Sequence, residues 1–266
     1  MIKVSLKSGL VILSLVVVNF IFSSCSDPAV EEPVVVQNDI PESIIKKLEE
    51  LHFDTSDIMR HGDDYLVEGD MVFSEEMIND LYDEAINEVN GEQYYACNSG
   101  RVSHPRTITI RGYNVNSTIS TALDYSIAQY NALGLEIAFV RVNGPADITV
   151  YSSGSGVGGV AGFPSGGNPY RYINVLPGTV SYGTNVTTHV VVHEIGHCIG
   201  IRHTDWFNRN YSCGSGGNEG HAGIGACHVP GTPTTYDPNS VFLACFTTNT
   251  TGRFSKYDEI LLRYLY

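Results

Sequence analysis

Apolar and polar positions along the chain alternate with two periods, and these periods predict where helices and strands form. In residues 39–92, apolar side chains three and four positions apart predict a helix that begins near Asp39, and Ser74 opens a second helix. Between them, two short alternating stretches within 65–73 predict a β-hairpin. We therefore expect residues 39–92 to form a small α+β unit, either a separate N-terminal domain or a removable pro-segment.

Residues 93–266 predict a longer series of elements. Alternating β-branched stretches indicate strands, and apolar stripes at helical spacing indicate helices. In chain order we expect a strand at 107–111, a helix at 117–133, strands at 135–142, 147–151 and 171–176, a helix at 184–199 and a last helix capped by Ser255. The glycine-rich stretch 152–168 lies between two of these strands, and we expect it to form a loop over the rim of a cleft.

Thirteen residues in this second region, HEIGHCIGIRHTD, carry the chemistry. His193 and His197 are four residues apart, so they lie on one face of a helix and can bind one metal ion together. Glu194 lies about 100° round the helix from His193, within reach of a water molecule on that metal but not placed as a ligand. His189 lies one turn earlier on the same side, and we expect it to support a ligand or to lie on the surface.

A third ligand becomes available because the helix is expected to end at Gly200. Gly200 can take a positive φ without strain, which ends the helix and turns the chain back so that His203 approaches the first two histidines. Three neutral imidazoles with one open position are what a catalytic zinc ion requires. We predict one catalytic zinc ion bound by His193, His197 and His203, with Glu194 as the catalytic residue.

The spacing HExxHxxGxxH is the metzincin signature of zinc metallopeptidases. The fuller stretch HEIGHCIGIRHTDWF, with NEG and HVPGTP after it, resembles the bacterial dual-action HEIGH metallopeptidases. The resemblance implies an α+β, zincin-like fold, in which a twisted mixed sheet has a cleft-edge strand and carries an active-site helix. It also implies a protein or peptide substrate, held along that edge strand by strand addition. The substrate shelf would then be 171–176 or the glycine-rich segment beside it.

Two positions near the motif depart from the metzincin pattern or add to it. Metzincins place a methionine-containing turn beneath the zinc, but this chain has no methionine after Met77. The best match is 239–245, where Phe242 stands at the methionine position and is expected to form the floor of the site. Asp205 follows the third histidine by two residues, and we expect it to accept a hydrogen bond from an imidazole. Its use as the third ligand instead of His203 is the alternative.

The first 24 residues resemble an export signal. Lys3 and Lys7 precede an apolar run at 10–22 that is shorter than the roughly 20 residues needed to span a bilayer. Small residues then lead into Cys25, as in a bacterial lipobox, where the cysteine is lipidated and becomes the new N-terminus. We expect 1–24 to be a lipoprotein signal peptide and the exported protein to be anchored in the cell envelope through Cys25. Ordinary secretion with an unmodified Cys25 is the alternative.

The charge balance narrows the choice of partners. The leader holds two of the 15 basic residues, so 13 remain against 29 acidic ones in the mature part. Such an acidic protein lacks the basic face that phosphate binding needs, and we expect no nucleic-acid partner. Residues 25–38 are acidic and contain two prolines, so we expect a tether that lifts a monomeric domain off the membrane.

Five cysteines follow Cys25, and in an exported protein an even number of them should pair. They are Cys97, Cys198, Cys213, Cys227 and Cys245. Cys213 and Cys227 flank a glycine-rich loop and would be the easiest pair to close, while Cys198 on the zinc helix could be joined to Cys245. The sequence leaves this connectivity open. Cys97 could also serve as a zinc ligand in a latent form, although a disulfide or a buried thiol is the simpler expectation.

Together these features predict a zinc-dependent endopeptidase in which Glu194 accepts the proton of the attacking water and passes it to the leaving amine. Two other functions stay open on sequence grounds. A surface binding or adhesion lipoprotein could have kept the scaffold, which the missing methionine favours and the intact Glu194 disfavours. Zinc-dependent hydrolysis of a bond other than a peptide bond is also compatible with the motif.

Overall fold

The computed structural model describes residues 40–51, 53–87, 100–217 and 229–266. The expected signal peptide, the lipidation site Cys25, the tether, Cys97 and Cys227 lie outside these ranges, so what the sequence indicates for them stays a prediction. Within the described ranges, no helix combines the length and the apolar character needed to span a membrane.

The N-terminal described part contains two helices and three short strands. They are α1 (Glu42–Glu50), β1 (Met59–His61), β2 (Asp64–Val67), β3 (Met71–Phe73) and α2 (Glu75–Asn87). Strands β2 and β3 form the predicted hairpin and pair antiparallel, with Val67 opposite Met71. The Ser74 hydroxyl accepts a hydrogen bond from the Met77 amide, so α2 begins where the sequence predicts.

The C-terminal described part supplies the remaining elements. They are β4 (Arg106–Gly112), α3 (Ser117–Ala132), β5 (Ile137–Arg141), β6 (Ile148–Tyr151), β7 (Gly159–Gly162), β8 (Tyr172–Val175), a 3-10 helix (Pro177–Tyr182), α4 (Thr184–Cys198), α5 (Asn210–Cys213) and α6 (Lys256–Leu265). The strands and helices expected for this part are present close to their predicted bounds. Strand β7 is an addition, because it lies in the glycine-rich stretch for which a loop is expected, and all four of its residues are buried.

All eight strands belong to one mixed sheet in the order β1-β2-β3-β7-β8-β6-β4-β5. Strands β8, β6, β4 and β5 pair in parallel, whereas β7 runs antiparallel to β8. On its other edge β7 pairs in parallel with β3, so the hairpin extends the sheet. The α+β fold with a mixed sheet is confirmed. Strand β8 is paired on both edges by strands of the C-terminal part, whereas the outer edge of β7 is paired only with β3 of the N-terminal hairpin, so β7 in the glycine-rich segment is the candidate for the substrate shelf.

Buried apolar side chains form two clusters. The large cluster takes its members from residue 102 onwards and packs helices α3, α4 and α6 with strands β4 to β8. The small cluster takes its members from residues 44–81 and adds one residue of the C-terminal part, Phe163. Helix α4 lies deep in the large cluster, where residues 186–198 are all buried. The helix that carries the metal-binding motif is therefore fixed by the main core.

Candidate metal centre

Helix α4 and the chain that follows it bring the three predicted histidines together. His193 and His197 are one helical turn apart, and their ring centroids are 4.6 Å from each other. The ring of His203 lies 5.3 Å from that of His193 and 5.1 Å from that of His197. All three residues are buried. The spacing HExxHxxGxxH thus produces the cluster of imidazoles that a metal site needs.

The chain reversal that brings His203 back depends on Gly200. This residue has a φ of 103°, in the left-handed region that favours glycine. The Ile201 amide donates a hydrogen bond to the Gly196 carbonyl, which closes the end of the helix. A Cβ atom at Gly200 would also lie 2.1 Å from the Gly100 carbonyl oxygen. Both the backbone angle and the space around it therefore require glycine at this position.

Backbone carbonyls hold two of the rings in place. The Nδ1 atom of His193 lies 2.9 Å from the Val241 carbonyl oxygen, and that of His197 lies 2.8 Å from the Ile201 carbonyl oxygen. A carbonyl only accepts, so each Nδ1 carries the proton and each Nε2 keeps its lone pair. Burial lowers the pKa of His197 well below its ordinary value, and the neighbouring His193 adds to the effect. This ring is therefore neutral and able to bind a cation.

Glu194 lies beside this cluster in a fully enclosed position. Its side chain is buried, and within the described residues its Oε2 atom has no hydrogen-bond partner. Burial raises the pKa of Glu194 well above its ordinary value, and the negative charge of Asp70 raises it further. The room for this carboxyl comes from Gly159 of β7, where a Cβ atom would lie 2.5 Å from Glu194 Oε1. Gly159 is a site residue that the sequence alone does not indicate.

A fourth candidate ligand comes from the turn between β2 and β3. Asp70 Oδ2 lies 3.0 Å from His203 Nε2 and 3.8 Å from His193 Nε2. Burial by itself would raise the pKa of Asp70, but the positive charge available on His203, the hydrogen bond with that ring and the nearby His193 outweigh it, and the pKa is lowered. Asp70 is therefore a carboxylate that faces the imidazole cluster.

The four side chains fit a zinc ion. One ligand atom from each of Asp70, His193, His197 and His203 lies within 4.8 Å of the others. Three buried atoms here, His197 Nε2, Asp70 Oδ1 and Glu194 Oε2, have no hydrogen-bond partner in the described ranges. Buried polar atoms without a partner are costly, and a cation would satisfy the ligand atoms among them. Imidazole nitrogens and a carboxylate oxygen are donors that zinc prefers.

The turn that contains Phe242, at the position where the sequence analysis looks for a methionine, lies against helix α4. The carbonyl that holds His193 belongs to the preceding residue, Val241, whose own amide donates to Asp258 Oδ2 at 2.9 Å. The buried ring of Phe242 packs under helix α4, where a Cβ atom at Gly196 would lie 2.4 Å from its Cε1 atom. The aromatic ring therefore fills the space that Gly196, the first glycine of the motif, leaves open.

Asp205 fastens the segment after the third histidine to the same turn. Its Oδ1 atom accepts a hydrogen bond from the Ala244 amide at 2.9 Å, and its Oδ2 atom accepts one from the Ser212 hydroxyl at 2.5 Å. A disulfide between Cys213 and Cys245 closes this junction. Of the expected pairings, neither Cys213 with Cys227 nor Cys198 with Cys245 is present, and Cys198 is a buried thiol. The two segments meet in space because Asp205 bridges them, which sequence separation does not reveal.

Of the two roles that the sequence suggests for Asp205, the structure bears on its use as a metal ligand. The group of side chains able to hold a metal contains His203 and not Asp205, so the use of Asp205 as third ligand receives no support. A hydrogen bond from Asp205 to an imidazole stays a prediction. In the described residues Asp205 accepts hydrogen bonds from the Ala244 amide and the Ser212 hydroxyl. These contacts hold the turn that contains Phe242.

Comparison with known sequences decides the family. The family model described as "Dual-action HEIGH metallo-peptidase" matches residues 65–266, which is most of the chain. The chain belongs to this family. It is a zinc metallopeptidase with a mixed α+β fold, as the sequence analysis expects. No curated protein matches the sequence.

Solved structures similar to this HEIGH metallopeptidase are metalloproteases at low sequence identity. A crystal structure of myroilysin is 15% identical with a TM-score of 0.43, and the match covers 66% of this chain and 89% of that one. A second structure of myroilysin is 16% identical with a TM-score of 0.42, covering 63% and 82%. High choriolytic enzyme 1, a hatching enzyme zinc-protease from the medaka fish Oryzias latipes, is 13% identical with a TM-score of 0.37, covering 65% and 93%.

His189 lies near the site without joining it. It is buried, so of the two positions expected for it the surface is excluded. Its Nδ1 atom lies 2.8 Å from the Thr250 hydroxyl, and its ring stacks at 6.3 Å from that of His193. Burial lowers the pKa of His189 to about 3, and His193 adds to the effect. In this peptidase His189 is thus a neutral ring that packs behind His193.

Proposed function

We propose that this HEIGH metallopeptidase cleaves internal peptide bonds, with one zinc ion held by His193, His197 and His203 and with Glu194 as general base. The observation that carries the proposal is the place of Glu194. It is a buried carboxyl beside the imidazole cluster, and its Oε2 atom has no hydrogen-bond partner in the described part of the chain. A carboxyl that holds no structural contact through that atom is available for proton transfer.

The residues divide the chemistry between them. A zinc ion bound here would supply a Lewis acid and lower the pKa of a water molecule to about 7. Glu194 accepts the proton of the attacking water and delivers it to the leaving amine. Burial raises the pKa of Glu194, which brings this carboxyl closer to the range in which one group can both accept and donate a proton. The carbonyls of Val241 and Ile201 keep two imidazoles directed at the metal.

The substrate we propose is an extended stretch of polypeptide that lies along β7. This strand borders Glu194 at Gly159 and pairs antiparallel with β8, and its outer edge becomes available to a peptide when β3 leaves it. An exposed strand edge binds a peptide through main-chain hydrogen bonds, which do not depend on the peptide's sequence. A denatured protein is therefore a suitable test substrate.

The test is Glu194→Gln, which keeps the size of the side chain and removes its ability to accept a proton. We expect cleavage of a denatured protein to fall at least about 10²-fold, because general-base catalysis contributes that much or more. Zinc content should stay near one ion per chain. Glu259→Gln, which changes an exposed glutamate on α6, is the matched control and should keep full activity.

Each of these proteins is also assayed with Asp70→Asn added, since Asp70 borders the metal site. Turnover by Glu194→Gln equal to that of the unsubstituted chain, in both backgrounds, would contradict the assignment. A chelator should abolish cleavage by the unsubstituted protein, and added zinc should restore it.

We also propose that the peptidase is an exported lipoprotein anchored in the cell envelope through Cys25. The support is the sequence of residues 1–24, with two lysines before an apolar run that ends in small residues and a cysteine. Mass spectrometry of the N-terminal peptide from the membrane fraction tests this. A peptide that begins with acylated Cys25 is expected, and a retained leader or an unmodified Cys25 would contradict the proposal.

A further inference from the structure

We propose that the β2–β3 hairpin holds this peptidase latent by closing its site in two ways. The Asp70 carboxylate takes the fourth ligand position on the zinc, and strand β3 takes the edge of β7 on which an extended substrate would lie. The inference rests on the proposed function, because a closed site regulates activity only if the open site hydrolyses peptides.

The first contact is with the metal ligands. Asp70 Oδ2 is within 3.0 Å of His203 Nε2, and Asp70 Oδ1 is a buried oxygen without a hydrogen-bond partner in the described residues. The Asp70 side chain is 17% exposed, so solvent reaches little of it. A catalytic zinc site keeps one position open for water, whereas a site with four protein ligands is closed. With Asp70 in place, the protein would offer a zinc ion three imidazole nitrogens and one carboxylate oxygen, which would leave no position for water.

The second contact is with the strand edge. Strand β3 pairs in parallel with β7, with Met71 opposite Ala161 and Val72 opposite Gly162. The Ala161 amide donates a hydrogen bond to the Asp70 carbonyl at 3.0 Å. A Cβ atom at Gly162 would lie 2.6 Å from the Val72 carbonyl oxygen, so glycine at this position permits the close approach of β3. The main-chain groups of β7 that would hold a substrate are therefore already paired.

Together the two contacts explain why the hairpin would inhibit instead of being cleaved. At Asp70 the backbone carbonyl points to β7 and bonds Ala161, while the side-chain carboxylate points to the histidines. The Asp70 peptide carbonyl is thus engaged by β7 and is not presented to the histidine cluster as a scissile carbonyl would be. Glu68, two residues before Asp70, has a φ of 56°, which is uncommon for a residue with a side chain. Unusual backbone angles of this kind cluster at functional sites, and this one lies in the turn that carries Asp70.

Aromatic contacts fix the hairpin against the C-terminal part. The ring of Phe73, the last residue of β3, lies 5.5 Å from that of Phe163, which in turn lies 5.3 Å from the ring of His197. Phe53 packs on Phe73 at 4.8 Å, and the Arg202 guanidinium lies 4.8 Å over the Phe53 ring. Because the hairpin is part of the same chain, it competes with substrate at an effective concentration of about millimolar. A tethered competitor of this kind suppresses the cleavage of a substrate that is present at micromolar concentration.

The test uses the full chain with Asp70→Asn, Asp70→Ala and a control, Asp63→Ala. Asp63 is an exposed acid in the turn between β1 and β2, so it matches the change of charge without touching the metal group. Asp70→Asn keeps the shape of the side chain, and circular dichroism checks that each variant is folded. Three properties are compared: the visible spectrum of the cobalt-substituted protein, the affinity for zinc in competition with a coloured chelator, and the initial rate on a labelled denatured protein.

We expect both Asp70 variants to change the cobalt spectrum and to bind zinc roughly tenfold more weakly, since a ligand is lost. We expect them to cleave roughly tenfold faster or more, since the tethered competitor has lost its strongest contact. Asp63→Ala should match the unsubstituted protein in all three properties.

Other results overturn the inference in distinguishable ways. An unchanged cobalt spectrum and unchanged zinc affinity in Asp70→Ala would show that Asp70 is not a ligand. A changed spectrum without a faster rate, when cleavage still depends on Glu194, would remove the latency and leave the proposed function standing. A changed spectrum with no cleavage by any folded, zinc-loaded variant would remove the proposed function, and the latency with it.

Discussion

The two apolar clusters of this peptidase contribute different side chains to its candidate metal site, and the two sets of side chains are buried to different extents. The large cluster buries helix α4, and two of its histidines are oriented by backbone carbonyls from elements of the same cluster. The small cluster carries the hairpin with Asp70 and receives only Phe163 from the C-terminal part. Between the clusters, β3 and β7 share two residue pairs. The three imidazoles therefore belong to the main core, whereas the carboxylate is held by a smaller attachment.

This difference is what the proposed latency requires, namely an imidazole cluster in the main core and a hairpin with a separate core. Stability is not uniform within a protein, and parts with fewer buried contacts open at lower free energy than the core does. If the hairpin can leave while the large cluster stays folded, the imidazole geometry outlasts the removal of Asp70.

The largest effect should come from removing a buried phenylalanine from each cluster. Phe139 lies in the large cluster and is 1% exposed, and Phe53 lies in the small cluster and is 4% exposed. Replacing either by alanine leaves a cavity and should cost about 3–5 kcal/mol locally. For Phe139→Ala this loss falls on the elements that support α4, so zinc binding and cleavage should decline. For Phe53→Ala the loss of stability falls on the small cluster that holds the hairpin. The hairpin should then leave the site more readily, and cleavage should become faster.

Denaturant unfolding followed by tryptophan fluorescence separates the two cases. The single tryptophan, Trp206, lies three residues after the third histidine and reports on the C-terminal part. Phe139→Ala should lower the free energy of unfolding seen by this probe by the full amount. Phe53→Ala should lower it by less than about 1 kcal/mol if the clusters are nearly independent. Equal shifts would show that the two clusters unfold as one unit.

The next effect concerns the contact between β7 and Glu194, the proposed general base. Gly159→Ala would place a Cβ atom 2.5 Å from Glu194 Oε1 and 2.6 Å from its Cγ atom, so the carboxyl must move. A displacement of about 1 Å at a catalytic group lowers turnover by roughly 10²-fold. Zinc content should not change, because none of the three histidines is touched. Turnover and bound zinc are both measured on the Asp70→Asn background, where the site is expected to be open.

Gly144→Ala is the matched control for this change. A Cβ atom at Gly144 would meet no other atom within 4 Å, so activity should stay at the level of the parent protein. If Gly159→Ala is as active as Gly144→Ala, the glycine-rich strand does not shape the position of Glu194, and β7 is only a structural edge.

Several of these residues also show which parts of the fold and of the candidate site the sequence alone predicts. Short-range geometry predicts the histidine cluster, because helix spacing places His193 with His197 and a glycine with positive φ returns His203. It also predicts the hairpin at 65–73, whose arms alternate. It does not predict β7, because the residues Gly-Val-Ala-Gly show no alternation and read as a loop. Their role as a strand follows from close contacts with Glu194 and Val72, which are distant in sequence.

Asp70 escapes sequence-based prediction for a related reason. An aspartate after glycine in a tight turn has an ordinary explanation as a turn residue. Its partner His203 is 133 positions away, and only the pairing of β3 with β7 brings the two together. The pairing of Cys213 with Cys245 is of the same kind, because Asp205 bridges segments whose proximity the sequence does not encode locally. Long-range contacts, not local patterns, thus complete the site.

The smallest effect should come from Phe242, the residue at the methionine position of the turn. Phe242→Met replaces the ring with a flexible apolar side chain, so we expect the free energy of unfolding to fall by less than about 1.5 kcal/mol. Cleavage should change little, because His193 is oriented by its hydrogen bond with the Val241 backbone carbonyl, while the ring of Phe242 lies 6.4 Å from the ring of His193 and makes no hydrogen bond. Denaturant unfolding and initial rates measure both quantities.

A double-mutant cycle with Gly196→Ala sharpens this prediction. In the parent protein the new Cβ atom would lie 2.4 Å from Phe242 Cε1, a contact that a rigid ring in a packed core cannot easily relieve. Beside methionine the same alanine should be tolerated better, with a coupling free energy of about 0.5–3 kcal/mol in favour of the pair. Additive effects would show that the ring can move away from the helix. Phe242 would then fill space beneath the zinc ligands without being matched to the glycine above it.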